Sequence, residues 1–564
     1  MTADSPLAQP VHRARRERWA DAAWLGALVV WAVVYCIPAA ARIGVTYDEP
    51  FYLYAGLDGW YSGSPQRTTT VGTMPLPVFA ATLPVYLEQV RTGERVYLPF
   101  ERLRVARAVT LVWFVLLLVL ALRLGRAAGG PWAGRLAAGL IAADPNFLAH
   151  AALATTDIAT AAALVGLTCA TYTGRAGGGW RRVALPGVWY GLAILCKLSA
   201  LLYGGIILLA LEIAHRFTSG TFVRPAGASA RDWSRTVAGA ILRSVLAVGG
   251  AVALGIAVAI VGCGVPGPDT NPLARMAGYV PATDPLRPKL DELAVEYPRL
   301  PYAVVALVAQ TGLNLRERPA FLNGTAYPGG CWFYYPVLMA MKVPAPALLL
   351  GLGALVRPRA ALNALALVGL LLTAATLAAS VQIGVRLVLP VVAIGYVWVA
   401  VAIVRGFGRS GAMVGAVAVA LVAATAVWVW PHGLGYLNQF VGGPSAAPDR
   451  VTDSNLDWGQ GLPDLRAWHR ANGAPPIALW YFGTDPDALR APFVPVAPDE
   501  ERIETEADLR RVVGSRVLAV SVSMLTVAPD ETPSKATALA LLRGRRPLAR
   551  TPTFVIYDFR DPPR

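Results

Sequence analysis

Long apolar runs interrupted by short clusters of arginine set the pattern of this chain. Runs at 24–40, 105–124, 158–172, 237–263, 361–381 and 412–430 approach the length that crosses a hydrocarbon core. A shorter run fills 131–143, and two more lie in 183–214, divided near Lys197. Another begins at CWFYYP (331–336) and exits at Arg357 and Arg359, and one more runs between Arg386 and Arg405. The pattern predicts a polytopic α-helical membrane protein with about eleven transmembrane helices, 131–143 being short for a span.

Arginine supplies the orientation. Basic clusters at Arg123 and Arg126, at Arg175, Arg181 and Arg182, at His215 and Arg216, at Arg357 and Arg359, and at Arg405 and Arg409 fall at alternate ends of the runs. The basic tail HRARRER (12–18) precedes the first run, so the positive-inside rule holds the N-terminus in the cytoplasm. A signal peptide cleaved near 39–41 is the alternative; the later parity favours a retained helix. The chain is then divided into a cytoplasmic basic tail (1–23), a transmembrane domain (24–430) and an extracytoplasmic domain (431–564). Outer loops occupy 42–100, where interfacial helices are expected, and 264–330. Beyond 430 the pattern changes. PPIALWYFG, SRVLAVSVSML and PTFVIYDF read as strands and LPDLRAWHRA as a helix, which predicts a small C-terminal α/β domain.

Composition agrees with a multi-pass protein of the plasma membrane: 564 residues, 55% hydrophobic, 15% charged, mean hydropathy +0.49. The net charge of +15 reflects the arginine clusters between spans and implies no nucleic-acid partner. Cys36, Cys169 and Cys196 lie inside apolar runs; Cys263 and Cys331 face outward, which leaves a disulfide between them open. No internal repeat points to an inverted-repeat transporter. The sequence holds no HExxH, CxxC or GxxxxGK[ST] motif, so neither a metal hydrolase nor a nucleotide-driven machine is indicated.

The candidate chemistry centres on TYDEPFYLYAGLDGW (46–60), where Asp48 and Glu49 follow the first span. Pro50 stops the preceding helix, and Tyr47, Phe51, Tyr52, Tyr54 and Trp60 form an interfacial aromatic belt, so the carboxylates are held at fixed depth. Paired acids at a membrane edge are a functional signal; a helix end in solvated headgroups is the plainer reading. Asp157 opens a span and is also a candidate helix N-cap. Lys197, Lys342 and Arg386 are cations at outer ends of spans, where snorkelling competes with anion binding. DSNLDWGQGL (453–462) is dense in hydrogen-bonding groups: it caps a site, or it starts a helix with Ser454 or Asp457 as N-cap.

These residues carry a resemblance. The DE pair, LATTD at Asp157, ILCKLSALL at Lys197, FLNGTAYPGGCWFYYPVLMAMKVP, IGVRLVLP at Arg386, GYLNQFVGGP followed by DSNLDWGQGL, and YFGTDPDAL together resemble the bacterial protein-O-mannosyltransferase-like enzymes of glycosyltransferase family 39, in the GT-C superfamily. The resemblance implies a membrane glycosyltransferase that takes a sugar from a polyprenyl-phosphate donor and places it, with inversion, on an acceptor hydroxyl at the outer face. In that reading Asp48 is the base, Glu49 orients the acceptor or interacts with Asp48, and Asp157 is the second acid. Lys197, Arg386 and Lys342 are the candidates for the donor phosphate; Tyr52, Tyr335, Asp453, Asn455 and Asp457 are substrate-binding candidates. No cofactor and no metal are expected, since a lipid monophosphate leaving group can be met by basic side chains. The partners implied are the lipid-linked sugar, membrane lipids, and an acceptor protein, glycolipid or polysaccharide. A lipid-linked-sugar flippase or a non-catalytic glycolipid-binding assembly protein is the alternative. Neither needs adjacent carboxylates at one face or an exported α/β tail.

Overall fold

The computed structural model describes residues 8–94, 99–175, 179–316, 318–473, 476–526 and 532–560. Residues 1–7 of the expected basic tail, 95–98 of the first outer loop and Pro475 of the first expected strand lie outside the described residues.

The protein is a bundle of apolar helices carrying a small sheet domain. Among the described residues five helices are long and apolar enough to cross a membrane: Arg15–Arg42, Phe100–Gly129, Ser199–Thr218, Ala230–Cys263 and Val385–Val429. The last is two helices joined at Gly408, whose φ of 57° is open mainly to glycine. The expected spans on either side of Arg405 and Arg409 are thus connected without a loop. The run from CWFYYP is broken: Tyr334–Lys342 and Ala345–Leu355 meet at 111°, because Val343 and Pro344 leave helical geometry. Shorter helices occupy the remaining runs, at Pro131–Ala143, Asp157–Gly174, Gly179–Cys196 and Ala364–Thr376.

The Asp157–Gly174 helix is the centre of the bundle. It is rich in Ala, Thr and Gly and buried along most of its length, as a helix packed on all sides must be. It packs against Leu103–Gly129 and Gly179–Cys196, and the latter against Ala230–Cys263. The outermost helices instead expose large apolar side chains, Ile241, Leu242, Val245 and Leu246 among them, as a surface that meets lipid would.

In the loop 42–100, expected on the outer side, the helices Glu49–Ser62 and Pro75–Thr92 pack together, with the short helix Gln66–Thr69 between them in sequence. Among the described residues the loop 264–330 holds the helices Pro272–Gly278, Arg287–Glu296 and Tyr302–Asn314 and a hairpin of β1 (Ala320–Leu322) and β2 (Thr325–Tyr327).

The tail forms the expected α/β domain. Its sheet contains β3 (Ile477–Trp480), β4 (Phe493–Pro495), β5 (Val517–Ser521), β6 (Ala549–Arg550) and β7 (Phe554–Asp558), in the order β4-β3-β5-β7-β6. β3 runs parallel to β4 and β5, while β7 is antiparallel to β5 and β6. The central strands β3 and β5 are buried on both faces, hence their unbroken apolar character. LPDLRAWHRA lies within the helix Leu462–Asn472, whose N-cap is Gly461; Ser454 and Asp457 are therefore not its caps.

The cysteine pairing left open by the sequence does not form. Cys263 and Cys331 are both free and buried. Cys263 ends its span, whereas Cys331 is fixed by Gln382, which accepts from its backbone N–H at 2.9 Å and donates to its carbonyl at 2.8 Å.

Candidate active site

Asp48 sits at the N-terminus of the Glu49–Ser62 helix, where its carboxylate faces Arg386 from the short helical turn Val385–Val388. Arg386 Nη1 donates to Asp48 Oδ2 at 2.7 Å, and the Tyr52 hydroxyl reaches the same oxygen at 3.4 Å. Asp48 Oδ1 has no hydrogen-bond partner among the described residues, and the side chain keeps 24% of its surface open. The guanidinium of Arg386 lies over the Trp458 ring, 4.1 Å from its centroid, a cation–π contact within a buried setting.

A second ion pair stands in the same electrostatic neighbourhood. Lys197 Nζ donates to Asp157 Oδ1 at 2.6 Å. Lys197 occupies the break between Gly179–Cys196 and Ser199–Thr218, where the chain turns back, so its side chain is free of a helix surface. Asp157 is the first residue of its helix but not its cap; Thr156 holds that position. Asp157 Oδ2, Arg386 Nε and His150 Nδ1 are buried here without a hydrogen-bond partner among the described residues. Unsatisfied buried donors and acceptors gathered in this way are what a site awaiting a polar ligand presents.

Glu49 and Asp48 are adjacent in sequence and opposite in environment. Glu49 is fully buried and accepts four hydrogen bonds: from Arg107 Nε at 2.8 Å and Nη2 at 2.6 Å, and from the backbone N–H groups of Thr46 and Ala154, both at 2.9 Å. Burial alone would push its carboxyl upward, but the Arg107 fork and the two N–H groups outweigh that and hold it below the usual range. Arg107 also donates to the carbonyls of Ala40, Ile43 and Gly44. Glu49 thus ties the first loop to the helix of Arg107 and to the turn at Ala154, and offers no free oxygen to an acceptor.

Lys342 requires a correction. Its ammonium is fully buried and donates to the carbonyls of Leu434 at 2.5 Å and Asn455 at 2.6 Å, so it clamps the tail onto the bundle and is closed to a lipid phosphate. Tyr335 is likewise committed, its hydroxyl donating to the Val381 carbonyl at 2.6 Å. Within DSNLDWGQGL, Asn455 accepts from Val385 N–H at 3.0 Å and Asp457 from Ser523 N–H at 3.1 Å; both are buried. These are scaffold contacts that fix the turn bearing Arg386. Gly384 precedes that turn because a Cβ there would lie 2.1 Å from Ser454 Oγ. Asp453 is the member of this segment whose charge reaches Arg386 and Asp48; burial raises its carboxyl to about 6, against the lowering effect of Arg386. Burial also raises Asp457 to about 6.

The tail shapes the loop that carries Asp48 directly. Gly44 N–H donates to the Gln460 carbonyl and Tyr47 N–H to the Trp458 carbonyl, each at 2.8 Å. Thr484 Oγ1 donates to the Tyr47 carbonyl at 2.9 Å, and the Tyr47 ring stacks on Phe482 with centroids 5.5 Å apart. Sequence reasoning missed Arg107, Trp458 and Gln460 as site builders. Arg107 carried a signal, a charge inside an apolar run beside the DE pair.

Residues 98–225 match the family model described as dolichyl-phosphate-mannose-protein mannosyltransferase. Over this stretch, which contains Asp157 and Lys197, the chain is protein-O-mannosyltransferase-like, as its motifs led one to expect. No curated protein sequence matches the chain. Among solved structures it is similar to ArnT from Cupriavidus metallidurans bound to undecaprenyl phosphate, at 14% identity and a TM-score of 0.45, covering 95% of this chain and 98% of that one. It is also similar to the Archaeoglobus fulgidus oligosaccharyltransferase in the apo form, at 16% identity and a TM-score of 0.41, covering 72% of this chain and 54% of that one. The chain therefore spans about half the length of the archaeal enzyme.

Proposed function

Taking a mannosyltransferase-like membrane glycosyltransferase of GT-C type as the premise, we propose that this protein moves a sugar from a polyprenyl-phosphate carrier to an acceptor hydroxyl at the outer face of the membrane, with inversion at the anomeric carbon. The observation that carries the reading is the pairing of Asp48 with Arg386 at 2.7 Å beside that of Asp157 with Lys197 at 2.6 Å. Two acids and two cations are thereby stored together, and Asp157 Oδ2 and Arg386 Nε have no hydrogen-bond partner among the described residues.

The chemistry follows from partner exchange. The donor phosphate enters and takes hydrogen bonds from Arg386 and Lys197, and Arg386 shifts its fork from Asp48 to the phosphate, a bidentate match. Asp48, relieved of its cation, becomes the better proton acceptor. The acceptor O–H loses its proton to Asp48 as its oxygen bonds to the anomeric carbon; the bond from that carbon to the phosphate oxygen breaks, and its electron pair leaves with the lipid phosphate. The charge that grows on the phosphate meets the two cations in a buried, preorganised setting. Because each acid already has its own cation, the reaction needs no divalent metal. The acceptor is a protein, glycolipid or polysaccharide hydroxyl.

The test is transfer from a labelled polyprenyl-phosphate sugar by purified protein. Asp48→Asn is expected to bind donor normally and to lose roughly a hundredfold to ten-thousandfold in turnover. Turnover near wild type in that variant would show that Asp48 is structural and that the base lies elsewhere.

A further inference from the structure

A second buried charge cluster lies one helix length from the first. The Asp157–Gly174 helix begins at the Lys197 pairing and ends beside Arg175, about 27 Å away at the α-helical rise. Around Glu212 at that far end stand three arginines: Arg182 Nη2 at 2.6 Å and Arg216 Nη2 at 2.9 Å from Oε1, and Arg175 Nε at 3.9 Å from Oε2. Ser244 Oγ donates to Glu212 Oε1 at 2.7 Å and accepts from Arg216 Nε at 2.8 Å. In the sequence these arginines served only to orient the spans.

Orientation alone does not require this geometry. A snorkelling arginine extends into water, whereas these three turn inward onto one carboxylate, leaving the cluster two positive charges in excess. Arg175 has only 9% of its side chain exposed, and its Nε and Nη2, with Arg182 Nε, are buried without a hydrogen-bond partner among the described residues. They line a small cleft with Thr171, Leu208 and Val248. Surplus buried charge with unmet donors is costly unless an anion completes it.

We infer that this cleft is a binding site for a phosphate group, whose non-bridging oxygens enter between Arg175 and Arg182. Planar guanidinium forks match phosphate oxygens in pairs. The surroundings suit the headgroup of an anionic phospholipid: Leu209 and Ile213 on one helix and Leu242, Val245 and Leu246 on another are exposed beside the cleft, where acyl chains would lie. The inference is independent of the transfer reaction, since the cleft stands at the opposite end of the bundle from Asp48.

The experiment uses the full-length protein in detergent. Native mass spectrometry is run with added phosphatidylglycerol or phosphatidylcholine, and thermal unfolding is followed with each lipid and with inorganic phosphate. Phosphatidylglycerol adducts and a raised unfolding midpoint, both absent with phosphatidylcholine, identify a lipid headgroup; an equal shift with inorganic phosphate identifies a free phosphate. The Arg175→Gln/Arg182→Gln variant is expected to weaken that binding on the order of tenfold or more. Arg175→Lys/Arg182→Lys keeps the charge, loses the fork and should fall between the two. If neither phosphate source binds wild type more than phosphatidylcholine does, or if the glutamine variant binds as well as wild type, the inference is wrong.

Discussion

The two ends of the Asp157–Gly174 helix solve the burial of arginine and lysine differently. At one end Arg386 and Lys197 each have a carboxylate of their own, Asp48 and Asp157, and Asp453 also acts on Arg386, so the cations are not in excess. At the other, Arg175, Arg182 and Arg216 share Glu212 and charge is in excess. A site that binds and releases an anion at every turnover benefits from carboxylates that hold its cations between cycles. A site that keeps its anion has no such need, because the anion itself is the counter-charge. On the two proposals together, the pairing pattern distinguishes a site that turns over from one that keeps its anion, and each variant below breaks or sharpens that contrast.

The largest effect is expected at Glu49, which sits beside the working pair and takes no part in exchange. Its carboxylate is committed to Arg107 and two N–H groups, so Glu49→Gln strands a buried guanidinium. Breaking a buried pair from one side costs about 3–5 kcal/mol. Thermal unfolding of the variant should show that loss, and Glu49→Gln/Arg107→Met should recover part of it. An unchanged midpoint for Glu49→Gln would mean that this pair does not hold the loop, and the contrast between Glu49 and Asp48 would collapse.

That contrast also marks what the sequence could express. The DE pair, Asp157, Lys197 and Arg386 stand out as candidates because a charge beside or within an apolar run has few structural reasons to be there, and Asp48, Arg386, Asp157 and Lys197 meet in two ion pairs. The order of apolar runs likewise foretold the helices, and strand periodicity foretold β3, β5 and β7. The division of labour within DE was not legible, since it depends on Arg107 reaching back over a separation of 58 residues. Nor was the fate of Lys342 and Asn455. Both look like ligand groups in one dimension, and only the docking of the tail shows that carbonyls and N–H groups occupy them. The bend at Val343–Pro344 was hidden for a related reason: an apolar run reads the same whether its helix is straight or broken.

The next effect is on donor use. Arg386→Ala removes the cation that Asp48 is proposed to surrender, and loss of one preorganised donor to a developing anion costs roughly a hundredfold to a thousandfold. Lys197→Ala should act in the same sense, with kcat/KM for the lipid donor falling while folding persists. Both the wild type and the residual activity of these variants should survive exhaustive chelation. Activity abolished by chelation and restored by Mn²⁺ would instead make Asp48 and Asp157 metal ligands, and balanced pairing would lose its proposed meaning.

The smallest effect concerns Asp457, which supports the working end from within the tail. Its carboxylate is buried and accepts from Ser523 N–H at 3.1 Å and Gly459 N–H at 3.2 Å, yet burial leaves its folded-state pKa at about 6, above the ordinary aspartate value. A carboxyl raised on folding binds its proton more tightly in the native state than in the unfolded one. Stability from this group is therefore greatest below the ordinary aspartate pKa and is lost as pH rises toward 6, then levels off. The rise from the ordinary aspartate value to about 6 bounds the change at about 3 kcal/mol, and relaxation around the charge brings it lower. Asp457→Asn keeps an acceptor oxygen and removes the titration, so its unfolding midpoint should vary less between pH 4.5 and 7 than that of the wild type. Parallel pH profiles for the two proteins would show that Asp457 does not titrate in this window, and that its hydrogen bonds from Ser523 and Gly459 already sustain the charged form.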